Sequence, residues 1–289
     1  MVYRKESLIR RLEKLKEYRR DLLDLGELSF EDYMKTRWLH YSVERLLFLI
    51  AESILDIFDH ILASKFQVIS DSYVSPYLIT VGRLTKPKAH WHLLRIFREL
   101  KKDFPDIKLL ILGDGELKEY LTKLSEKLGL KTYVWDKSHP NEGYDVYFMG
   151  FRQNPFKYIS RARLFVFPSL WEGFGNVLVE AMACGVPVVS SDCRSGPREI
   201  LAPDTDYTFQ TKVPEFAKFG VLMPVFEVKF LNTEPLTHEE ATWVETIKQL
   251  LEDERLRESY SQKAKERALD FHIEKIVQEW RRVLHEILS

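Results

Sequence analysis

The stretch from residue 164 to residue 190 leaves the chain few ways to fold. Leu164-Phe165-Val166-Phe167-Pro168-Ser169 is an apolar run closed by a proline, which reads as a buried strand. Glu172-Gly173-Phe174-Gly175 then turns the chain, and the apolar residues from Val177 to Ala183 have helical length. A second strand is predicted over 186–190. The unit is therefore strand, glycine turn, helix, strand. A helix that begins at a glycine turn points free backbone N–H groups and the positive end of its dipole at that turn, an arrangement suited to a phosphate. Two carboxylates frame it. Glu172 lies at the turn, and Glu180, eight positions on, is expected about two turns into the helix. Ionised carboxylates only accept hydrogen bonds, so both suit sugar and ribose hydroxyls.

The same alternation runs upstream. Strands are predicted over 77–81, 108–112 and 146–149, with helices over 89–103, 116–128 and 155–160. Helices over 239–250, 253–270 and 273–288 close the chain. Strands alternating with helices at this spacing imply an α/β domain, a doubly wound parallel sheet covered on both faces. Ligands of such sheets sit beyond the carboxyl ends of the strands. Arg83, Gly113, Gly150 and Glu172 each follow a predicted strand, so they are expected to meet at one crevice. His90 and His92 are expected to be partly exposed helix residues, and Phe151 fits either the site or the core. The sequence has no H-x-x-x-H or C-x-x-C pattern, so no metal is expected.

Composition narrows the rest. The 289 residues suffice for two domains, and 43 lysines and arginines offset 44 aspartates and glutamates. No net basic field points to nucleic acid or to an anionic membrane surface. The most apolar run, residues 46–50, is too short to span a bilayer. Cys184 and Cys193 cannot form a disulfide framework, and with no apolar leader at the start they point to a cytoplasmic setting.

The first 73 residues have another character. They hold a single glycine, Gly26, and no proline. Leu8, Leu12, Leu15, Tyr18 and Leu22 mark one helical stripe, and Val43, Leu47, Ile50, Ile54, Ile57 and Ile61 mark a second. An all-α helical hairpin over 1–73 is expected ahead of an α/β domain over 74–289. The second stripe is broader than one partner helix covers, which predicts a homodimer through these helices.

The stretch around Glu172 and Glu180 resembles the E-x7-E signature of family-4 retaining glycosyltransferases of the GT-B fold. Thr80-Val81-Gly82-Arg83-Leu84, Lys86-Pro87-Lys88, Gly113-Asp114-Gly115, Phe148-Met149-Gly150-Phe151 and Ser195-Gly196-Pro197-Arg198-Glu199-Ile200 extend the resemblance from about residue 77 to residue 288. It implies the Rossmann-like donor half of a GT-B enzyme. The substrate implied is a nucleoside diphosphate sugar, with no separate cofactor. By the resemblance, Arg83 and Lys88 hold the diphosphate, Glu172 lies near the donor sugar and Glu180 holds the ribose. Gly82, Gly113, Gly150 and the N–H groups around Phe174, Gly175 and Asn176 line the sugar and phosphates, and Phe151 and Arg152 lie near the base. Ala89 stands where the family has a glycine.

The N-terminal segment resembles the opening helices of the HepT-like (HEPN) family through Leu28-Ser29-Phe30-Glu31-Asp32-Tyr33, residues 43–52 and Ile57-Phe58-Asp59-His60-Ile61. That family's RNA-cleaving motif is an arginine, four to six residues, then a histidine. Arg37 and His40 are too close for it, and Arg83 and His90 have the spacing but fall in the other half. Two family segments joined near residues 67–76, with no acceptor-side α/β domain between them, are expected of an engineered chimera, with a natural fusion as the alternative. Three functions stay open: a sugar transferase completed by an acceptor domain on another chain, a non-catalytic fusion or scaffold, and a HepT-like ribonuclease.

Overall fold

The computed structural model describes residues 13–21, 76–138, 143–272, 274–278 and 281–282. The chain divides into two compact units, 1–71 and 72–289. In the first unit, residues 13–21 are helical, with Leu15 and Tyr18 half-buried on the stripe expected from the sequence. The expectations for the second helix, for the HepT-like resemblance and for the junction near 67–76 fall almost wholly outside the described residues.

The second unit is an eight-stranded sheet. The strands are β1 (Tyr77–Val81), β2 (Lys108–Leu112), β3 (Thr132–Val134), β4 (Val146–Gly150), β5 (Leu164–Phe167), β6 (Val188–Ser191), β7 (Glu215–Phe216) and β8 (Val221–Met223). Their order is β3-β4-β2-β1-β5-β6-β8-β7. Every neighbouring pair is parallel except β7 with β8. The central strands β1 and β5 are buried on both faces, so their residues are mostly apolar with no in–out alternation; Thr80 is the one polar residue between them. The helices are α1 (His90–Asp103), α2 (Lys118–Lys127), α3 (Phe156–Ile159), α4 (Asn176–Ala183), α5 (Pro197–Leu201), α6 (His238–Glu252) and α7 (Glu254–Ala268).

From β1 the chain passes to β2, then to the edge strand β3 and back to β4 between them, and then crosses to the other side of β1 as β5. The order reverses between β1 and β5, and a crevice opens at the carboxyl ends of strands at such a point. The loops after β1 and β5 therefore form its two walls.

α1 is buried on nearly all sides, from His90 through Phe97. Trp91 donates to Lys229 O at 2.9 Å, and Trp243 of α6 donates to Pro224 O at 3.0 Å. These bonds let two indoles be buried without a lost donor. Under them lies a charged cluster. Glu240 accepts from Arg95 Nε at 2.7 Å and Arg95 Nη2 at 2.9 Å, and it lies 2.7 Å from His92 Nδ1. Arg95 also donates to the carbonyls of Glu234 and Pro235, at 3.1 and 2.8 Å. Glu240 closes a capping box with Thr237 at the start of α6, which fixes that helix to α1. The expectation that His90 and His92 are partly exposed is therefore overturned: both are buried, because α1 is enclosed by the sheet and α6.

Among the described residues no helix is long and apolar enough to cross a membrane, and no group of side chains is placed to hold a metal ion.

Candidate functional site

Glycines set how closely the strand ends meet. Gly113, just past β2, has φ +140°, and a Cβ there would lie 1.9 Å from Gly82 O, so no other residue lets these loops approach. The Gly113 N–H donates to Gly150 O at 2.9 Å, which ties the ends of β2 and β4 together. Gly82 in turn lies against the Lys88 stem, 3.3 Å from Lys88 Cε to where a Cβ would be. Gly82, Gly113 and Gly150, singled out from the sequence, thus form one continuous floor.

Lys88 stands on this floor. Its ammonium pairs with the Glu172 carboxylate and lies 4.8 Å from the centre of the Phe167 ring. Both partners are largely buried, with 18% and 11% of their side chains exposed. Glu172 is held by its own backbone. Its N–H donates to Arg194 O at 3.0 Å, and its carbonyl accepts from Ser195 N at 3.1 Å. The loop after β6 thus fixes the loop after β5. Leu170 N donates to Pro87 O at 2.8 Å, joining the two walls.

α4 starts as the sequence requires. Gly175 adopts φ +85° and caps Asn176–Ala183 without a side-chain acceptor. The Leu178 N–H donates to Gly175 O at 2.9 Å, so the N–H groups of Asn176 and Val177 are the ones at this end with no intrahelical partner. Phe174 and Asn176 flank that end, both exposed. Gly196 packs on the carbonyl of Phe174, where a Cβ would come within 1.9 Å.

Glu180 is the fifth residue of α4, so it stands little more than one turn in, not the two turns expected, because the helix begins at Asn176. It is half-buried, and no hydrogen bond to its carboxylate is formed among the described residues. Burial pushes that carboxyl above its ordinary value. A carboxylate taken partly out of water with no donor is costly unless something else supplies one.

Arg83 is exposed and its guanidinium forms no bond among the described residues. Phe151 is 77% exposed, which excludes the core reading. Arg152 is half-buried, and its Nε is buried without a partner. Ala89 adopts φ 48°, so it holds the left-handed conformation that a glycine would take more easily.

Two groups that the sequence did not assign to the site lie beside its residues, His90 after Lys88 and Ser169 after Phe167. His90 Nδ1 and Ser169 Oγ are both buried and without partners. Burial, and then the Lys88 charge, push the His90 imidazole down to about 3, so it is neutral near pH 7. The signal for Ser169 was its place directly after the strand-closing Pro168, and for His90 its place two residues after Lys88. Cys184 and Cys193 are both free, and burial pushes the Cys193 thiol up to about 12.

Residues 70–215 match the family described as glycosyl transferases group 1. An uncharacterized glycosyltransferase of Methanocaldococcus jannaschii is 41% identical over 219 residues, 74% of this chain and 50% of the relative. An N-acetylgalactosamine-N,N'-diacetylbacillosaminyl-diphospho-undecaprenol 4-alpha-N-acetylgalactosaminyltransferase of Campylobacter jejuni is 35% identical over 203 residues, 70% of this chain and 45% of that enzyme. The chain thus spans about half the length of these relatives. In fold it is similar to Anabaena HepE, solved in complex with UDP, with a TM-score of 0.56, 20% identity, and coverage of 78% of this chain and 52% of that one. Similar in fold too is the pneumococcal O-GlcNAc transferase GtfA, solved with UDP and GlcNAc, with a TM-score of 0.54, 20% identity, and coverage of 74% and 36%. The sheet order, the crevice at its switch point and the family match together place the chain in the group 1 glycosyltransferases, on the GT-B fold.

Proposed function

We propose that residues 74–289 bind the donor of a sugar transfer that proceeds with retention, a nucleoside diphosphate sugar. One observation carries the reading. Glu180, half-buried and unpartnered, lies in the first turns of a helix whose open N-terminus borders the Lys88–Glu172 pair. The ribose hydroxyls would supply the donors that Glu180 lacks. The diphosphate would face the α4 N–H groups, Lys88 and Arg83. As the bond from the anomeric carbon to the diphosphate oxygen breaks, the leaving oxygen gains charge, and cations fixed in advance stabilise it. Glu172, beside the donor sugar, holds Lys88 in place through its own carboxylate.

The acceptor hydroxyl would be positioned by a second α/β domain, on this polypeptide or on another. Positioning accounts for roughly 7–11 kcal/mol of such a barrier, so residues 74–289 alone are expected to bind donor and transfer nothing. The helices expected over residues 1–73 would pair two copies of the chain, and the free cysteines support a reducing, cytoplasmic setting.

Calorimetry against UDP, GDP and ADP tests the reading; UDP is the first choice because it occupies two proteins of this fold. A hydrogen bond to a charged group contributes roughly 1.5–3 kcal/mol, so Arg83→Ala and Glu180→Ala should each weaken binding about tenfold or more. No binding by the wild-type chain at millimolar nucleotide would refute it. Binding that never leads to transfer, even with an acceptor domain supplied, would favour the scaffold reading.

A further inference from the structure

The turn that starts α4 reads Gly173-Phe174-Gly175, so Phe174 is its one side chain for neighbours to grip. Glycines leave such a turn free to move unless something outside holds it. The backbone is held from one side. Gly173 O accepts from Ser195 Oγ at 3.2 Å, and Gly196 packs on the carbonyl of Phe174. The Phe174 ring is held from the other side by Phe271, which meets it edge to face with ring centres 5.6 Å apart. Phe271 lies in the single helical turn Leu269–Phe271 that follows α7. It is half-buried, whereas Leu269 of the same turn is 62% exposed. Arg267 braces Phe271. Its guanidinium lies 4.6 Å from the centre of that ring and 5.5 Å from the centre of Phe219. It donates to the carbonyls of Ile200 and Glu199 at 3.1 and 2.9 Å, and it pairs with Asp270 at 3.0 Å. Those carbonyls belong to α5, whose cap is Gly196, and the Glu199 carboxylate accepts from Gly196 N at 3.3 Å. One arginine at the end of α7 thus steadies both supports of Phe174.

We propose that Phe271, braced by Arg267, is a positioning residue for the donor: its ring holds Phe174 so that the glycine turn presents the N–H groups of Asn176 and Val177 to the diphosphate. This role rests on the donor reading above and adds to it a residue from the far end of the chain. Neither N–H has an intrahelical partner, so the turn before them sets their direction. Without the Phe271 ring the turn gains freedom, and a ligand loses affinity by restoring its order.

The test uses the full chain. Amide hydrogen exchange at Leu178, whose N–H donates to Gly175 O, reports closure of the turn, and exchange at Phe165, whose N–H donates to Pro187 O, reports the sheet. Phe271→Ala should speed exchange at Leu178 about threefold to tenfold and leave Phe165 unchanged. It should weaken UDP and inorganic pyrophosphate by the same factor. Phe271→Tyr should restore the exchange and both affinities. Leu269→Ala, which removes an exposed apolar side chain from the same turn, should alter none of them. Unchanged exchange at Leu178 in Phe271→Ala overturns the positioning role and leaves the donor reading standing. A loss for UDP that pyrophosphate does not share also overturns it, and so does faster exchange at Phe165, which marks a general loss of stability. If the wild-type chain binds neither ligand, the donor reading falls and the positioning role falls with it.

Discussion

The Arg95–Glu240 cluster beneath α1 and the crevice around Glu172 and Glu180 both take charges out of bulk water, and they differ in how fully those charges are bonded. Glu240 has donors on both oxygens, from Arg95, His92 and the Thr237 backbone. Burial alone would raise its carboxyl, but those bonds outweigh it and hold Glu240 at about 2. Glu180 has burial without bonds, so its carboxyl moves the other way. Among the described residues Arg83, His90 Nδ1, Ser169 Oγ and Arg152 Nε are likewise unbonded. The first region has its partners built into the chain, whereas in the second these groups are left unmet among the described residues. Unmet hydrogen-bonding capacity, more than charge itself, separates a site from a structural ion cluster.

Breaking the satisfied cluster should have the largest effect. Glu240→Ala leaves Arg95 buried without its carboxylate, and removing one partner of a buried pair costs about 3–5 kcal/mol. The thermal midpoint should drop by roughly 10 °C. Nucleotide affinity of the folded protein, measured in the cold, should hold. A small drop would mean that the carbonyls of Glu234 and Pro235 suffice for Arg95.

The next effect is in pH. His90 titrates near 6.5 when unfolded and at about 3 when folded, so the unfolded state binds the extra proton between those values. Its contribution is complete above pH 6.5 and is lost as pH falls towards 3, at up to about 1.4 kcal/mol per pH unit. Urea unfolding of wild type and His90→Asn at pH 7 and pH 5 should show the variant with the flatter dependence. Equal slopes would assign the acid sensitivity elsewhere.

Glu180→Gln sharpens the comparison from the opposite side. The folded value of Glu180 is raised, so its ionised form disfavours folding once pH rises through that value, and no penalty remains below its unfolded value. The variant should be as stable as the wild type at pH 4 and more stable at pH 7, while binding nucleotide about tenfold more weakly. A variant less stable at pH 7 would show that Glu180 has a structural partner after all.

The smallest effect concerns the turn into α1. A left-handed alanine costs roughly 1–2 kcal/mol, and a glycine gives back about 0.4–1 kcal/mol through the freedom of the unfolded chain. Ala89→Gly should therefore raise the denaturant midpoint by the equivalent of about 1 kcal/mol or less. A lower midpoint would mean that the buried methyl group outweighs the strain.

Much of this was legible in particular residues. The runs Tyr77–Val81, Lys108–Leu112 and Leu164–Phe167 announced buried parallel strands because they are nearly all apolar and show no polar–apolar alternation. Gly175 announced the start of α4. β3, β7 and β8 were not read, since strands of two or three residues carry too little pattern to register. The burial of His90 and His92 was misread because polar side chains on a helix usually face water, and the cover over α1 comes from residues more than 130 positions away.

The sequence by itself determined the local pieces: which runs are strands, where the glycine turn starts a helix, and which cations and carboxylates follow strand ends. Those follow from backbone sterics and from the period of apolar residues, both of which act over a few positions. Only the tertiary structure decided the reversal of strand order between β1 and β5, the approach of Gly113 to Gly82, and the pairing of Lys88 with Glu172 across 84 positions. Such contacts arise when every layer is covered at once, and no short stretch of sequence encodes that condition. The same holds for Glu180: its identity is local, but the burial that leaves its carboxylate unbonded belongs to the assembled crevice.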